Sequence, residues 1–198
     1  MERLLDWWGD NTVASVSKAT CQGYTGHRRA VGRKDGTVRR ELTVLSAAIG
    51  HAHASGRLTD RPQVWMPAPG APKERWLTQD EAAALLRAAK NEPKVRSYLP
   101  LFILMGLFTA ARKGALLSLR WSQIDLERGL ISLNPPGRKQ TTKGRAKVPI
   151  PRRLMTFLKL AKKRGSDIGH VFTLDDQPIG DIKKAFNHAA IRAGLTVP

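Results

Sequence analysis

Arg112 is the residue whose surroundings best prepare it for chemistry. It follows an apolar run at residues 99–108 and sits within Thr109, Ala110, Ala111, Arg112, Lys113, Gly114, Ala115, Leu116, Leu117, Ser118, Leu119, Arg120, Trp121, Ser122, Gln123, Ile124, Asp125. An arginine held between two helices offers a planar fork that matches two phosphate oxygens and stays charged at any working pH. The same place would suit an arginine bonding the carbonyls of a helix end, and the pattern alone leaves both readings open. A second feature lies just downstream. Residues 129–166 contain no Asp or Glu, yet hold Arg138, Lys139, Lys143, Arg145, Lys147, Arg152, Arg153, Lys159, Lys162, Lys163 and Arg164. A charge run is usually a solvated face. Ordinary surfaces intersperse both signs, however, so an uncompensated basic hairpin followed by a basic helix is better explained by phosphate contacts.

The elements that must position these residues divide the chain in two. Pro62, Pro67, Pro69, Gly70 and Pro72 crowd residues 61–75, where no helix can run. We read residues 62–75 as a linker between a helical domain at 1–61 and a second domain at 76–198. Upstream, short helices are expected at 2–8 and 17–31. A longer amphipathic helix is capped by Thr37, carries Val38, Leu42, Leu45, Ile49 and Ala52 on one face, and ends near Gly56. Downstream, Thr78 and Glu81 form a capping box opening a helix to about residue 90. Helices at 96–108 and 113–119 follow. Strands at 130–133 and 146–150 flank the basic hairpin, Pro151 starts a helix to 164, a strand covers 170–174, a turn covers 175–178, and a last helix covers 180–192. The fold class is therefore mainly α with a small antiparallel sheet (α+β).

Composition narrows the function classes. Lys and Arg number 34 against 16 Asp and Glu, a formal charge of +18 over 198 residues. Such an excess calls for a polyanionic partner, with nucleic acid foremost. Hydrophobic residues at 41% and charged residues at 25% exclude a disordered or fibrous chain. The apolar run at 99–108 is far short of the roughly 20 residues that span a membrane, so no membrane partner is expected. Cys21 is the single cysteine, and no secretory signal precedes Trp7. No metal site and no nucleotide-binding glycine motif is present in the sequence pattern, so no cofactor is expected. His51 and His53 cannot share one helix face, and His53, four residues after Ile49, is expected to pack. The adjacent Asp175 and Asp176 read as turn residues rather than an acid and base pair.

The Arg112 segment resembles the first-arginine motif of the tyrosine recombinases, the phage integrase family, in which the arginine leads into an apolar helix and a Leu-Arg-Trp, two residues, Ile-Asp ending. Residues 76–81 resemble the opening of the integrase catalytic domain, 130–150 its basic hairpin, and 37–58 the last helix of its core-binding domain. The resemblance implies a helical core-binding, DNA-clamping domain and the first part of a catalytic domain. It implies that Arg112 binds the scissile phosphate and that a hairpin lysine is a general acid toward the leaving hydroxyl: Lys143 by alignment, with Lys139 as the alternative. Either lysine would equally serve as a plain phosphate contact. Arg39, Arg40, Arg138, Lys139, Arg145 and Lys147 are the expected DNA contacts. The partner is double-stranded DNA at an attachment or recombination site, with a homo-oligomer on DNA compatible, and the setting is cytoplasmic and nucleoid-associated in a bacterium or phage.

Two departures qualify the resemblance. Ala115 stands where the family has an acidic residue. The family's His-any-any-Arg motif, later His or Trp and nucleophilic tyrosine belong after a segment like 185–198, and the tyrosines present are Tyr24 and Tyr98. The expectation is a piece shortened at both ends that binds DNA without turnover. The rival class is a non-catalytic basic DNA- or RNA-binding protein.

Overall fold

The computed structural model describes residues 2–72, 74–135, 137, 146–164 and 169–195. The chain forms two compact units, Met1–Arg75 and Trp76–Pro198.

The first unit contains three helices: α1 (Glu2–Trp8), α2 (Lys18–Ala30) and α3 (Asp35–Ala54). Ser17 caps α2 through a reciprocal exchange with Thr20. Thr37 does not cap α3. The helix starts three residues earlier, with Lys34 as N-cap and Asp35 in the first turn, because Asp35 both complements the helix dipole and accepts a two-pronged bond from Arg29 at 2.7 and 2.7 Å. Leu4, Trp8, Val16, Cys21, Tyr24, Val38, Leu42 and Ile49 form the core. His53 is exposed rather than packed, since α3 runs past that core by its last turn. The proline-rich segment expected as a free linker lays Val64, Trp65 and Met66 on this core. Its proline content bars helix and leaves extended chain, whose apolar residues still gain by burial.

In the second unit α4 (Gln79–Asn91) opens on the expected box, in which Glu81 N–H donates to Thr78 Oγ1 and Thr78 N–H to Glu81 Oε2. The buried helix α5 (Leu99–Thr109) begins later than expected. Pro100 tolerates only a helix's first turn, so residues 96–98 cannot be helical ahead of it. Then come α6 (Lys113–Leu117), β1 (Ile124–Asp125), β2 (Leu130–Ser132), β3 (Lys147–Pro149) and α7 (Arg152–Arg164). The sheet is antiparallel in the order β1-β2-β3, with Ile131 opposite both Ile124 and Val148. β1 was not foreseen, being too short for a period to show. The strand expected at 170–174 shrinks to β4 (Thr173–Leu174), which pairs with β5 (Gln177–Pro178), while His170 forms a lone bridge to Arg120. Asp175 and Asp176 supply the tight loop of this hairpin with φ of 48 and 56°, the mirror-image turn that two-residue hairpins require. Finally α8 (Lys183–Arg192) ends before Gly194, whose φ is 72°. Leu85, Leu99, Met105, Leu116, Leu119, Ile131, Leu154, Leu158 and Phe172 are the most deeply buried side chains of this core.

Candidate nucleic-acid interface

Arg112 stands on a rigid support. Leu99, Leu101, Phe102, Ile103, Leu104 and Met105 of α5 are all buried, and each such side chain removed from water stabilises the unit by roughly 1.5–3 kcal/mol. α5 stops at Ala110, which takes the left-handed conformation at φ 49° while its N–H donates to Gly106 O at 3.0 Å. Thr109 completes the turn: its hydroxyl donates to Met105 O at 2.6 Å and accepts from Ala111 N–H at 3.3 Å. Arg112 is then the N-cap residue of α6, its carbonyl accepting from Ala115 and Leu116 N–H at 2.8 and 3.2 Å. The side chain is exposed and makes no hydrogen bond or ion pair among the described residues, so it is not spent on helix-end carbonyls. A fixed backbone with five guanidinium donors left to solvent is what a phosphate-binding arginine needs.

Its neighbour behaves oppositely. Lys113 Nζ donates to Asp181 Oδ1 at 2.9 Å, and the same oxygen accepts from Ile182 and Lys183 N–H at 2.8 and 3.2 Å. Lys113, followed by those backbone donors, holds the Asp181 carboxyl below its ordinary range. One carboxylate thereby ties the start of α6 to the start of α8. Ala115 is buried, so a packing contact stands where the resemblance calls for a carboxylate.

The basic stretch is only partly in view. Arg138, Lys139, Lys143 and Arg145 lie outside the described residues. Lys147 is exposed on β3, an edge strand opposite Ser132. Gln123 braces that sheet, its Nε2 donating to Ser132 O at 2.6 Å while its Oε1 accepts from Arg120 N–H at 3.1 Å. On α7 the residues Leu154 and Leu158 face the core, four apart, and Arg152, Arg153, Lys159, Lys162, Lys163 and Arg164 are exposed. None of these six cations forms an ion pair among the described residues.

The cations of the first unit are used differently. Arg39, expected as a DNA contact, donates from Nη1 to Pro67 O at 2.6 Å and clasps the proline-rich segment to α3. Arg40, one residue on, is exposed. Sequence reasoning missed the polar centre of this unit. Arg28, 7% exposed, donates from Nε and Nη2 to Glu41 Oε2 and Oε1 at 3.0 and 2.8 Å, and Tyr24 Oη donates to Glu41 Oε2 at 2.7 Å. Arg28, with help from Tyr24, holds the Glu41 carboxyl low against the effect of burial. Burial, then the Glu41 carboxylate, pushes the Tyr24 phenol far up. The available signal was that Cys21, Tyr24 and Arg28 share the buried face of α2. His170, weighed as a structural histidine, bridges to Arg120. Burial, followed by the nearby Arg120 charge, pulls its imidazole down.

Comparison with known proteins places this geometry in context. The Phage integrase family matches residues 75–198. A tyrosine recombinase XerC of Xanthomonas campestris is 29% identical over 147 residues, covering 69% of this chain and 44% of the relative. A shufflon-specific DNA recombinase of Escherichia coli is 30% identical over 157 residues, covering 76% of this chain and 36% of the relative. The chain thus spans less than half the length of these curated relatives. Among solved structures, a lambda integrase dimer bound to a COC' core site superposes with a TM-score of 0.71 at 18% identity, covering 99% of this chain and 56% of that one. The Tn1549 transposon integrase in complex with circular intermediate DNA gives 0.76 at 15% identity, covering 100% of this chain and 73% of that one. These likenesses are in fold. No helix among the described residues is long and apolar enough to cross a membrane.

Proposed function

Since the chain belongs to the phage integrase family, we propose that it binds double-stranded DNA as part of a tyrosine recombinase and holds one particular phosphate with Arg112. The observation that carries this reading is the exposed Arg112 side chain, without a partner among the described residues, on a backbone fixed by buried helices on either side. Its guanidinium supplies positive charge where phosphoryl transfer builds up negative charge. A hairpin lysine, Lys143 with Lys139 as the alternative, donates the proton that the leaving hydroxyl needs. Lys147, Arg138, Arg145 and, on α7, Arg152 and Arg153 position the duplex without reading its sequence. Arg40 does the same from α3. Of the two first-unit arginines expected on DNA, Arg39 is already committed to the Pro67 carbonyl. The reaction setting is the cytoplasm.

A phosphotyrosyl step needs a tyrosine oxygen in line with the phosphate. Tyr24 is buried and bonded to Glu41, while Tyr98 precedes α5, at the end of that helix opposite to Arg112. Eleven helical residues rise about 16 Å, so Tyr98 is out of reach. This chain therefore binds without cutting. Incubated with a nicked duplex carrying its recombination site, it is expected to give no protein to DNA adduct that survives denaturant; an adduct would overturn the assignment. Neutralising Arg138, Lys139 and Lys143 together is expected to weaken duplex binding clearly, whereas Arg112→Ala removes one contact among many and weakens it little. Tighter binding to RNA than to duplex DNA would favour the rival reading.

A further inference from the structure

A cleft of about 660 Å³ opens in the second unit where the end of α4, the approach to α5 and the outer face of α7 converge. Lys90, Arg96 and Arg164 stand around it, Tyr98 lies among its buried residues, and Phe157 and Leu160 are exposed on α7 at 39 and 45%. None of its lining residues among the described ones is acidic. The three cations have no carboxylate partner among the described residues; Lys90 Nζ instead sits 5.9 Å from the centre of the Phe157 ring. Tyr98 is 8% exposed and makes no side-chain hydrogen bond among the described residues. Burial also pushes its phenol up.

We infer that this cleft docks an acidic segment of a partner protein, in which a large apolar side chain flanked by carboxylates enters between Phe157, Leu160 and Tyr98. The apolar wall needs an apolar anchor, and the unpaired cations around it need carboxylates; a peptide of that kind satisfies both. Duplex DNA satisfies only the second, because a phosphate backbone gives Phe157 and Leu160 nothing to pack against. Position argues the same way. The cleft lies at the first turn of α5 and Arg112 beyond its last, about 16 Å along the helix, so the cleft is separate from the phosphate-binding position. Arg164 thus belongs to a different surface from Arg112.

The test uses the full chain and a fluorescein-labelled peptide alternating glutamate with leucine around a central phenylalanine. Anisotropy is expected to show saturable binding that Leu160→Asp and Arg96→Glu each weaken by about ten-fold or more. Duplex affinity should be unchanged by Leu160→Asp, which also shows that this variant is folded. Arg164→Gln, at an exposed helix end, is the milder second variant and should weaken the peptide a few-fold. The inference is overturned if the peptide does not bind, if Leu160→Asp binds it as tightly as the parent, or if duplex DNA displaces it competitively.

Discussion

The two units spend the same residue type in opposite ways. In the first, arginines are spent on partners within the chain: Arg28 clamps Glu41, Arg29 clamps Asp35 at the surface and Arg39 clasps a carbonyl of the proline-rich segment. In the second, leucines, isoleucines and phenylalanines fill the core, and Arg112, Lys147, Arg152 and Arg153 project without ion-pair partners among the described residues. A small three-helix core has little apolar surface to bury, so polar clamps add to what holds it together. A larger apolar core holds itself; some of its cations, such as Lys113 with Asp181 and Arg192 with Glu92, pair at the surface, and others, such as Arg112, are left to a ligand. Paired arginines therefore mark the fold and unpaired ones mark the site.

Removing a clamp should have the largest effect. Glu41→Gln leaves Arg28 buried against a neutral amide, and breaking such a buried pair costs about 3–5 kcal/mol. Urea unfolding followed by the fluorescence of Trp7 and Trp8, which pack beside Tyr24, would read it. A loss below about 1 kcal/mol would put the pair with ordinary surface bridges and break the contrast. Acid should do the same by degrees. The folded Glu41 carboxyl lies below its unfolded value, so its contribution is complete above an unfolded pKa of about 4.3 and drains away as pH falls through the folded value. Urea midpoints measured downward from about pH 6 should fall in that acid window for the parent and be flatter in Glu41→Gln. The smallest effect lies beside Arg112. Ala110 holds a left-handed backbone that glycine adopts freely, so Ala110→Gly should stabilise the second unit by up to about 1 kcal/mol. Destabilisation in a thermal melt would mean that the Ala110 methyl group packs rather than strains.

What could be read in advance was local. Thr78 with Glu81 announced α4, Gly194 announced the end of α8, and alternating turn and apolar residues announced the β2 and β3 pair. The Arg112 segment was legible because its chemistry is written in consecutive residues. The misses needed distance: Arg28 and Glu41 are thirteen positions apart on two helices, Lys113 and Asp181 sixty-eight, and neither spacing leaves a periodic trace. Arg39 shows the limit most clearly. Next to Arg40 it reads as half of a basic pair, and only the return of Pro67 over α3 turns it inward. The basic run after residue 129 misled in a related way, since one charge sign along the chain became at least two surfaces once α7 placed Arg164 beside Phe157 and Leu160.

The salt dependence of duplex binding tests the central contrast most directly. A plot of log affinity against log salt should be linear and negative, with about 0.9 of slope for each phosphate contact. Replacing Lys147, Arg152 and Arg153 by glutamine should make the slope shallower by up to about 2.7, whereas Arg29→Gln, which breaks a clamp with Asp35, should leave it unchanged. A slope unmoved by the triple replacement, or one reduced by Arg29→Gln, would contradict the division between arginines that hold the fold and cations that hold DNA.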